Sequence, residues 1–234
     1  MIGIIGAMVI ETAALAAAME EKQTSVISGI TYTRGRLDGQ EVVVATCGIG
    51  KGYAAICAQT MILQYRPDVI INTGVAGTLT GELGIGDVAV ATKLCQHDMD
   101  TSAIGDPVGL VSGINQIYFE ADEETSQKLF ACVAQNGGKA VRGCIASGDQ
   151  FVASGEKKTY IQDTFGAIAC EMEGGAIAHV ATVNGVPFAV LRAISDSADG
   201  DATMDYPSFA RMAAARSVAV LRSYLQSLSL KSRT

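Results

Sequence analysis

The sequence predicts an α/β fold: a three-layer α/β/α sandwich around a twisted, mostly parallel mixed sheet. Two observations carry this expectation. Short apolar, β-branched runs alternate with Ala-rich helical windows along the chain. Several runs, including Val69-Ile70-Ile71 and Phe188-Ala189-Val190-Leu191, are continuously apolar, as strands covered on both faces are. The chain has 234 residues, 49% hydrophobic and 18% charged, which fits one domain and excludes a disordered, collagen-like or coiled-coil protein.

Element by element, Ile2–Ile5 reads as a strand and Ile10–Glu20 as a helix. Ser25–Leu37 alternates and carries Gly29 and Gly35, so it reads as a hairpin in a mixed sheet. Glu41–Thr46 is a strand and Gly52–Gln64 a helix. Strands follow at Asp68–Asn72 and Asp87–Ala91, then a helix at Glu123–Gln135 and a strand at Lys139–Ile145. Ala167–Cys170 is a strand, Glu173–Val183 a helix, Pro187–Ile194 a strand and Ser208–Gln226 a helix. The window from Gln96 to Tyr118 holds Gly105, Pro107, Gly109 and Gly113 and reads as irregular. A loop of that length in a compact domain is functional or makes a subunit contact.

With 17 basic and 24 acidic residues the net charge is −7, which argues against nucleic acid or an anionic membrane as partner. The low charged fraction points to buried surface in an oligomer. No apolar run reaches the roughly 20 residues of a membrane span. Met1 to Met19 lacks a basic start, and Glu11 interrupts its apolar stretch, so it reads as strand, turn and helix rather than a signal peptide; a cytoplasmic protein is expected. The six cysteines form no C-x-x-C pair and fit buried, reduced thiols. His97 and His179 are too few and too far apart for a metal cluster.

In such folds ligands collect at the carboxyl ends of the strands. Gly3-Ile4-Ile5-Gly6 and Gly48-Ile49-Gly50-Lys51-Gly52 complete no dinucleotide or phosphate-loop pattern and read as tight turns. Thr73-Gly74-Val75-Ala76-Gly77-Thr78 follows a buried strand; its small residues suit either close backbone approach to a ligand or a plain turn. Glu171-Met172-Glu173 suits either first-turn acids of a helix or a pair of acceptors for sugar hydroxyls, with Met172 as an apolar floor. Asp196, ending the most apolar strand in Arg192-Ala193-Ile194-Ser195-Asp196, is an acid whose burial favours its protonated form, or a turn residue. Glu11 stands in a first helical turn, where the helix N-terminus favours the ionised form of a base. Phe151, in Ser147-Gly148-Asp149-Gln150-Phe151-Val152, is a core aromatic or a platform for a base. Two carboxyl groups with divergent environments are how acid and base roles are divided.

Together these segments resemble the 5′-methylthioadenosine/S-adenosylhomocysteine nucleosidases of the nucleoside phosphorylase–hydrolase superfamily. The matching text is Ile2–Met8 with Glu11, Gly48–Lys51, Pro67–Gly74 with Ala76-Gly77, Ser147-Gly148-Asp149 with Phe151, Glu171-Met172-Glu173, and Arg192–Asp196 with Ala198-Asp199. The resemblance implies a nucleoside phosphorylase-like fold, no cofactor, and hydrolysis of the adenine–ribose bond of small-molecule adenine nucleosides. It makes Asp196 the acid at adenine N7, with Ser195 placing it, and Glu11 the activator of water, with Arg192 orienting the carboxylates. Glu173 beside Met172 would bind the ribose hydroxyls; Phe151 would stack on adenine, and the Val152 backbone would read its edge. Ile49, Met8 and Tyr206 would line the sugar and alkylthio pocket. A homodimer is implied, the partner chain closing that pocket through Met99, Ile104 and Pro107. Two departures stand out: Val75 replaces the family's usual Ser, and Ile104 a usual aromatic. A phosphorylase is the nearest rival, but its phosphate needs cations, and neither 6–11 nor 73–78 holds Arg or Lys. Another rival keeps the chemistry and cleaves 6-amino-6-deoxyfutalosine.

Overall fold

The computed structural model describes residues 1–198 and 206–231. Along the chain come β1 (Ile2–Gly6), α1 (Val9–Ala18), β2 (Glu20–Ile27), β3 (Ile30–Leu37), β4 (Gln40–Thr46), α2 (Lys51–Tyr65) and β5 (Val69–Thr78). They are followed by β6 (Val88–Gln96), a 3-10 turn (Ser102–Ile104), β7 (Phe119–Glu120), α3 (Glu123–Gln135), β8 (Ala140–Ser147) and α4 (Gly155–Phe165). The chain ends with β9 (Ala167–Glu171), α5 (Gly174–Asn184), β10 (Phe188–Asp196) and α6 (Tyr206–Lys231).

One sheet runs in the order β10-β6-β8-β9-β5-β1-β4-β3-β2, with β7 beside β6. It is mixed, as predicted: β1 pairs in parallel with β4 and β5, β10 with β5, and β8 with β6 and β9. The continuously apolar segments are its central strands; every residue of β1 and β10 is buried. Helices cover both faces. Ala54, Cys57 and Met61 of α2 pack with Ile177 and Ala181 of α5 on one side. Leu15 of α1, Leu129 and Val133 of α3, and Leu221 and Leu225 of α6 pack on the other. Each fully buried aliphatic side chain of this kind contributes about 1.5–3 kcal/mol. All six cysteines are buried and unbridged, and burial pushes the Cys57 and Cys170 thiols up to about 12. No helix among the described residues is long and apolar enough to cross a membrane.

Several elements differ from the sequence expectation. β5 does not stop at Asn72 but continues through Thr78. Its first part, Val69–Asn72, pairs with β1, Ile70 to Gly77 pair with β10, and its last two residues, Gly77 and Thr78, pair antiparallel with β9. Because β10 bonds both β6 and β5, the strands β5, β9, β8, β6 and β10 close into a ring. The first helix ends at Ala18, and Glu20–Gln23 belong to β2, an exposed edge strand whose charges hide its pattern and guard the edge against further pairing. Tight turns follow it at Ser28-Gly29 and Asp38-Gly39, each with two positive φ values as two-residue hairpins require. Helix α4 was not expected because only Ile161 and Phe165 are buried among polar neighbours. Its signals are the Ser154 cap, which accepts from the Lys157 N–H, and Gly166 in the left-handed region. α4 packs Ile161 and Phe165 against Leu79, Val152 and Ala167, beside β8 and β9.

Candidate active site

Strand ends and the turns after them surround a cleft of about 520 Å³. Glu11 and Asp196 both line it, with Met8, Ile49, Ala76, Gly77, Phe151, Val152, Glu171, Met172, Glu173, Arg192 and Ser195. Gln150 and Cys170 also line it and were missed: the first is overshadowed by its aromatic neighbour, the second by an apolar run that reads as core. Met99, Ile104 and Pro107 do not line it; Ile104 is 82% exposed on the loop outside. Tyr206 opens α6, and its side chain, like Asp199, lies outside the described residues.

Glu11 reaches the cleft because β1 ends at Gly6 and α1 begins three residues later, leaving Glu11 in the first turn, pointing back over the strand end. Its Oε2 accepts from the Ala7 and Met8 N–H groups at 2.7 and 2.8 Å, and its Oε1 from the Val75 N–H at 3.1 Å. Gly74 makes this convergence possible. A Cβ there would lie 2.5 Å from Glu11 Oε1 and against the Arg192 guanidinium, so any side chain would have to push both charged groups aside. The helix N-terminus was expected to keep Glu11 readily ionised. The balance runs the other way: burial raises its pKa and outweighs Arg192 and the three backbone N–H groups, which lower it.

Arg192 is fully buried in β10 and acts as the hub of the floor. It donates to Glu171 Oε2, to Asn72 Oδ1, and to Glu173 Oε2 at 3.4 Å. Burial disfavours its charge, but the carboxylates of Glu171, Glu173 and Glu11 outweigh that and hold its pKa above the ordinary value. Glu171 is largely committed: besides Arg192 it accepts from Ser147 Oγ and from the Glu173 and Gly174 N–H groups at 3.0 and 2.7 Å. Of the two acids expected to receive sugar hydroxyls, Glu173 therefore has the free capacity. Glu173 Oε1 accepts only from the Gly50 N–H among the described residues, at 2.9 Å.

Burial raises Glu173 to about 7, against the pull of Arg192 and with the help of the Glu171 charge. A carboxyl group with a raised folded-state pKa holds its proton more tightly folded than unfolded. Its contribution to stability is full below about 4.5 and is lost as pH rises through about 7. Thermal unfolding followed from about pH 5 to about pH 8 should therefore show a falling component that Glu173→Gln removes, worth of the order of 2 kcal/mol.

Asp196 sits where β10 slips its register on β5, between Ile194 and Asp196, which turns the carboxyl group toward the cleft. Ser195 Oγ donates to its Oδ2 at 2.8 Å and the Ala198 N–H to its Oδ1 at 3.0 Å. Gly77 faces it, and a Cβ there would stand 2.6 Å from Asp196 Oδ1. Above this polar floor, Ile49 and Phe151 are half-exposed on separate loops. Among the described residues no group of three or more His, Cys, Asp or Glu could hold a metal ion.

Residues 1–226 match the family model of the phosphorylase superfamily. A 5′-methylthioadenosine/S-adenosylhomocysteine nucleosidase of Shewanella loihica is 38% identical over 229 residues, covering 97% of this chain and 99% of that protein. This chain belongs to that nucleosidase family. The structure of the Neisseria meningitidis nucleosidase in complex with methylthio-immucillin-A superposes with a TM-score of 0.93 at 34% identity, covering 97% of this chain and 98% of that one. A futalosine hydrolase of Helicobacter pylori superposes with a TM-score of 0.92 at 35% identity, covering 97% of each chain.

Within this nucleosidase fold, Arg192 compensates three buried acids at once, so its removal should be costly. Arg192→Met is expected to lower the unfolding free energy by about 3–5 kcal/mol, because the charges it balances stay buried. Urea unfolding measures this, and an unchanged midpoint would contradict the hub.

Proposed function

We propose that the chain hydrolyses the N-glycosidic bond of 5′-methylthioadenosine and S-adenosylhomocysteine, releasing adenine and the 5-alkylthioribose. The observation that carries this reading is the charge of the cleft. Its lining presents Glu11, Glu171, Glu173 and Asp196 against one cation, Arg192, which is already engaged by carboxylates. A phosphate nucleophile would meet repulsion there, whereas a neutral water would not.

N-glycosidic cleavage leaves a purine anion and an oxocarbenium-like ribose. Asp196, oriented by Ser195, gives a proton to adenine N7 and neutralises the leaving group. Glu11 takes a proton from the attacking water, and the upward shift of its pKa strengthens it as a base. Glu173 accepts from the ribose hydroxyls over Met172. Phe151 stacks on the purine, the Val152 backbone reads its edge, and Ala76 and Gly77 let the β5 backbone approach the ligand. Met8 and Ile49 bound the sugar and its 5′ substituent, and Tyr206 joins them. Val75 supports Glu11 through its N–H alone, since it has no hydroxyl to offer the water. The division of labour is that of paired carboxylates in glycosidases.

The protein works as a single-domain, cytoplasmic homodimer in this reading. The exposed Ile104, with Pro107 and Met99, closes the alkylthio pocket of the partner subunit, which is why an apolar side chain stands out on the loop. Incubation with methylthioadenosine in phosphate-free buffer should release free adenine. A requirement for added phosphate would overturn hydrolysis, and tight binding with no adenine released would overturn catalysis. The similarity to a futalosine hydrolase favours one alternative substrate, 6-amino-6-deoxyfutalosine. Comparison of kcat/KM for the three nucleosides decides between them.

A further inference from the structure

Two loops that line the cleft, those carrying Ile49 and Phe151, are tied to the end of β6 by a carboxylate that does not line it. Asp98 follows β6. Its Oδ1 accepts from Lys51 Nζ at 2.6 Å, and its Oδ2 from the Asp149 N–H at 2.9 Å. Lys51 opens α2 two residues after Ile49, and Asp149 stands two residues before Phe151. Asp149 closes the circuit, its Oδ1 accepting from the Lys51 N–H at 2.7 Å. Gln96 Oε1 accepts a further bond from Lys51 Nζ at 3.0 Å. Between Gln96 and Asp98, His97 presses on the same turn: its buried ring leaves no room for a Cβ at Gly148, and the His97 backbone N–H donates to the Ser147 carbonyl at 2.9 Å. The turn carrying Ile49, the end of β6 and the turn carrying Phe151 thus share one ring of polar bonds. The Gly50 N–H extends that ring to Glu173.

We propose that Asp98 is a positioning residue: by clamping Lys51 and the Asp149 N–H, it holds Ile49 and Phe151 at the separation that receives a nucleoside. The proposal rests on the reading of the cleft as a nucleoside site. Fixing two apolar walls before the ligand arrives lowers the ordering cost of binding, so the clamp acts on affinity. Asp98 lies outside the lining that holds Glu11, Asp196 and Arg192, so the bond-breaking step is left nearly untouched. The Lys51 and Asp98 side chains keep 18% and 19% of their exposure, which makes the pair sensitive to salt.

The test is steady-state kinetics with methylthioadenosine, together with calorimetric titration of adenine. Asp98→Asn, which keeps the shape and loses the charge, should raise KM and the adenine Kd by about 5–20-fold, with kcat within about threefold. Lys51→Met should do the same and carries the test if Asp98→Asn does not fold. The two changes combined should cost little more than either alone. Raising NaCl from about 0.05 to about 0.5 M should raise the wild-type KM and leave that of Asp98→Asn flat, a response that a merely structural role would not produce. Unchanged KM and Kd in both variants, or a loss confined to kcat, overturns the clamp. If the wild type binds adenine but releases none from the nucleoside, the hydrolytic reading fails while adenine affinity still decides the clamp. A wild type that binds no adenine overturns both.

Discussion

Asp196→Asn should lower kcat/KM for methylthioadenosine by about 10²–10⁴-fold, the usual contribution of one positioned proton donor. The substitution is close to isosteric. The Asn carbonyl can still accept from the Ala198 N–H or from Ser195 Oγ, both of which donate to the native group. Its amide can also donate to a purine nitrogen, so substrate still binds and KM moves little. It cannot transfer a proton, so the loss falls on kcat. Adenine release and a thermal melt on the same preparation check both halves. A variant retaining more than about a tenth of the activity would place the acid elsewhere.

Glu11→Gln should be equally damaging and less stable. The native carboxylate accepts on both oxygens, from Ala7 and Met8 on one and Val75 on the other. An amide can satisfy one side only and turns its NH₂ toward an N–H donor on the other. That mismatch costs about 1–3 kcal/mol of stability, and the missing base a further 10²–10⁴-fold in rate. A base must be ionised to act, so wild-type activity falls as pH drops through the folded pKa of Glu11. Burial raises that pKa, which places the acid limb above the ordinary value of 4.5. In Glu11→Gln the limb assigned to this residue disappears. A limb that persists unchanged would belong to another group.

Much of this was legible in the residues. Unbroken apolar runs such as Phe188–Leu191 marked central strands, and the polar residues after them marked the strand ends where the cleft opens. What could not be read was set by tertiary closure. Thr73 to Thr78 carry no strand signature, because the small residues there are selected by Glu11, Arg192 and Asp196 pressing on Gly74 and Gly77. The polar face of α4 and the charges of β2 likewise masked regular structure. Glu171 and Glu173 are alike in sequence and unlike in setting, since only the fold shows that Ser147, Arg192 and two backbone N–H groups fill the first, while the second keeps more free capacity. The sign of the shift at Glu11 depended in the same way on burial, which position in a helix does not report.

Closing β10 onto β5 has a last consequence. A strand locked into a hoop has no loose margin to swing on, so the base of the reaction chamber is stiff and its chemistry is preset. Adaptation to one nucleoside tail or another is left to the overhanging segments, which can be exchanged without disturbing the carboxyl groups proposed as acid and base beneath them.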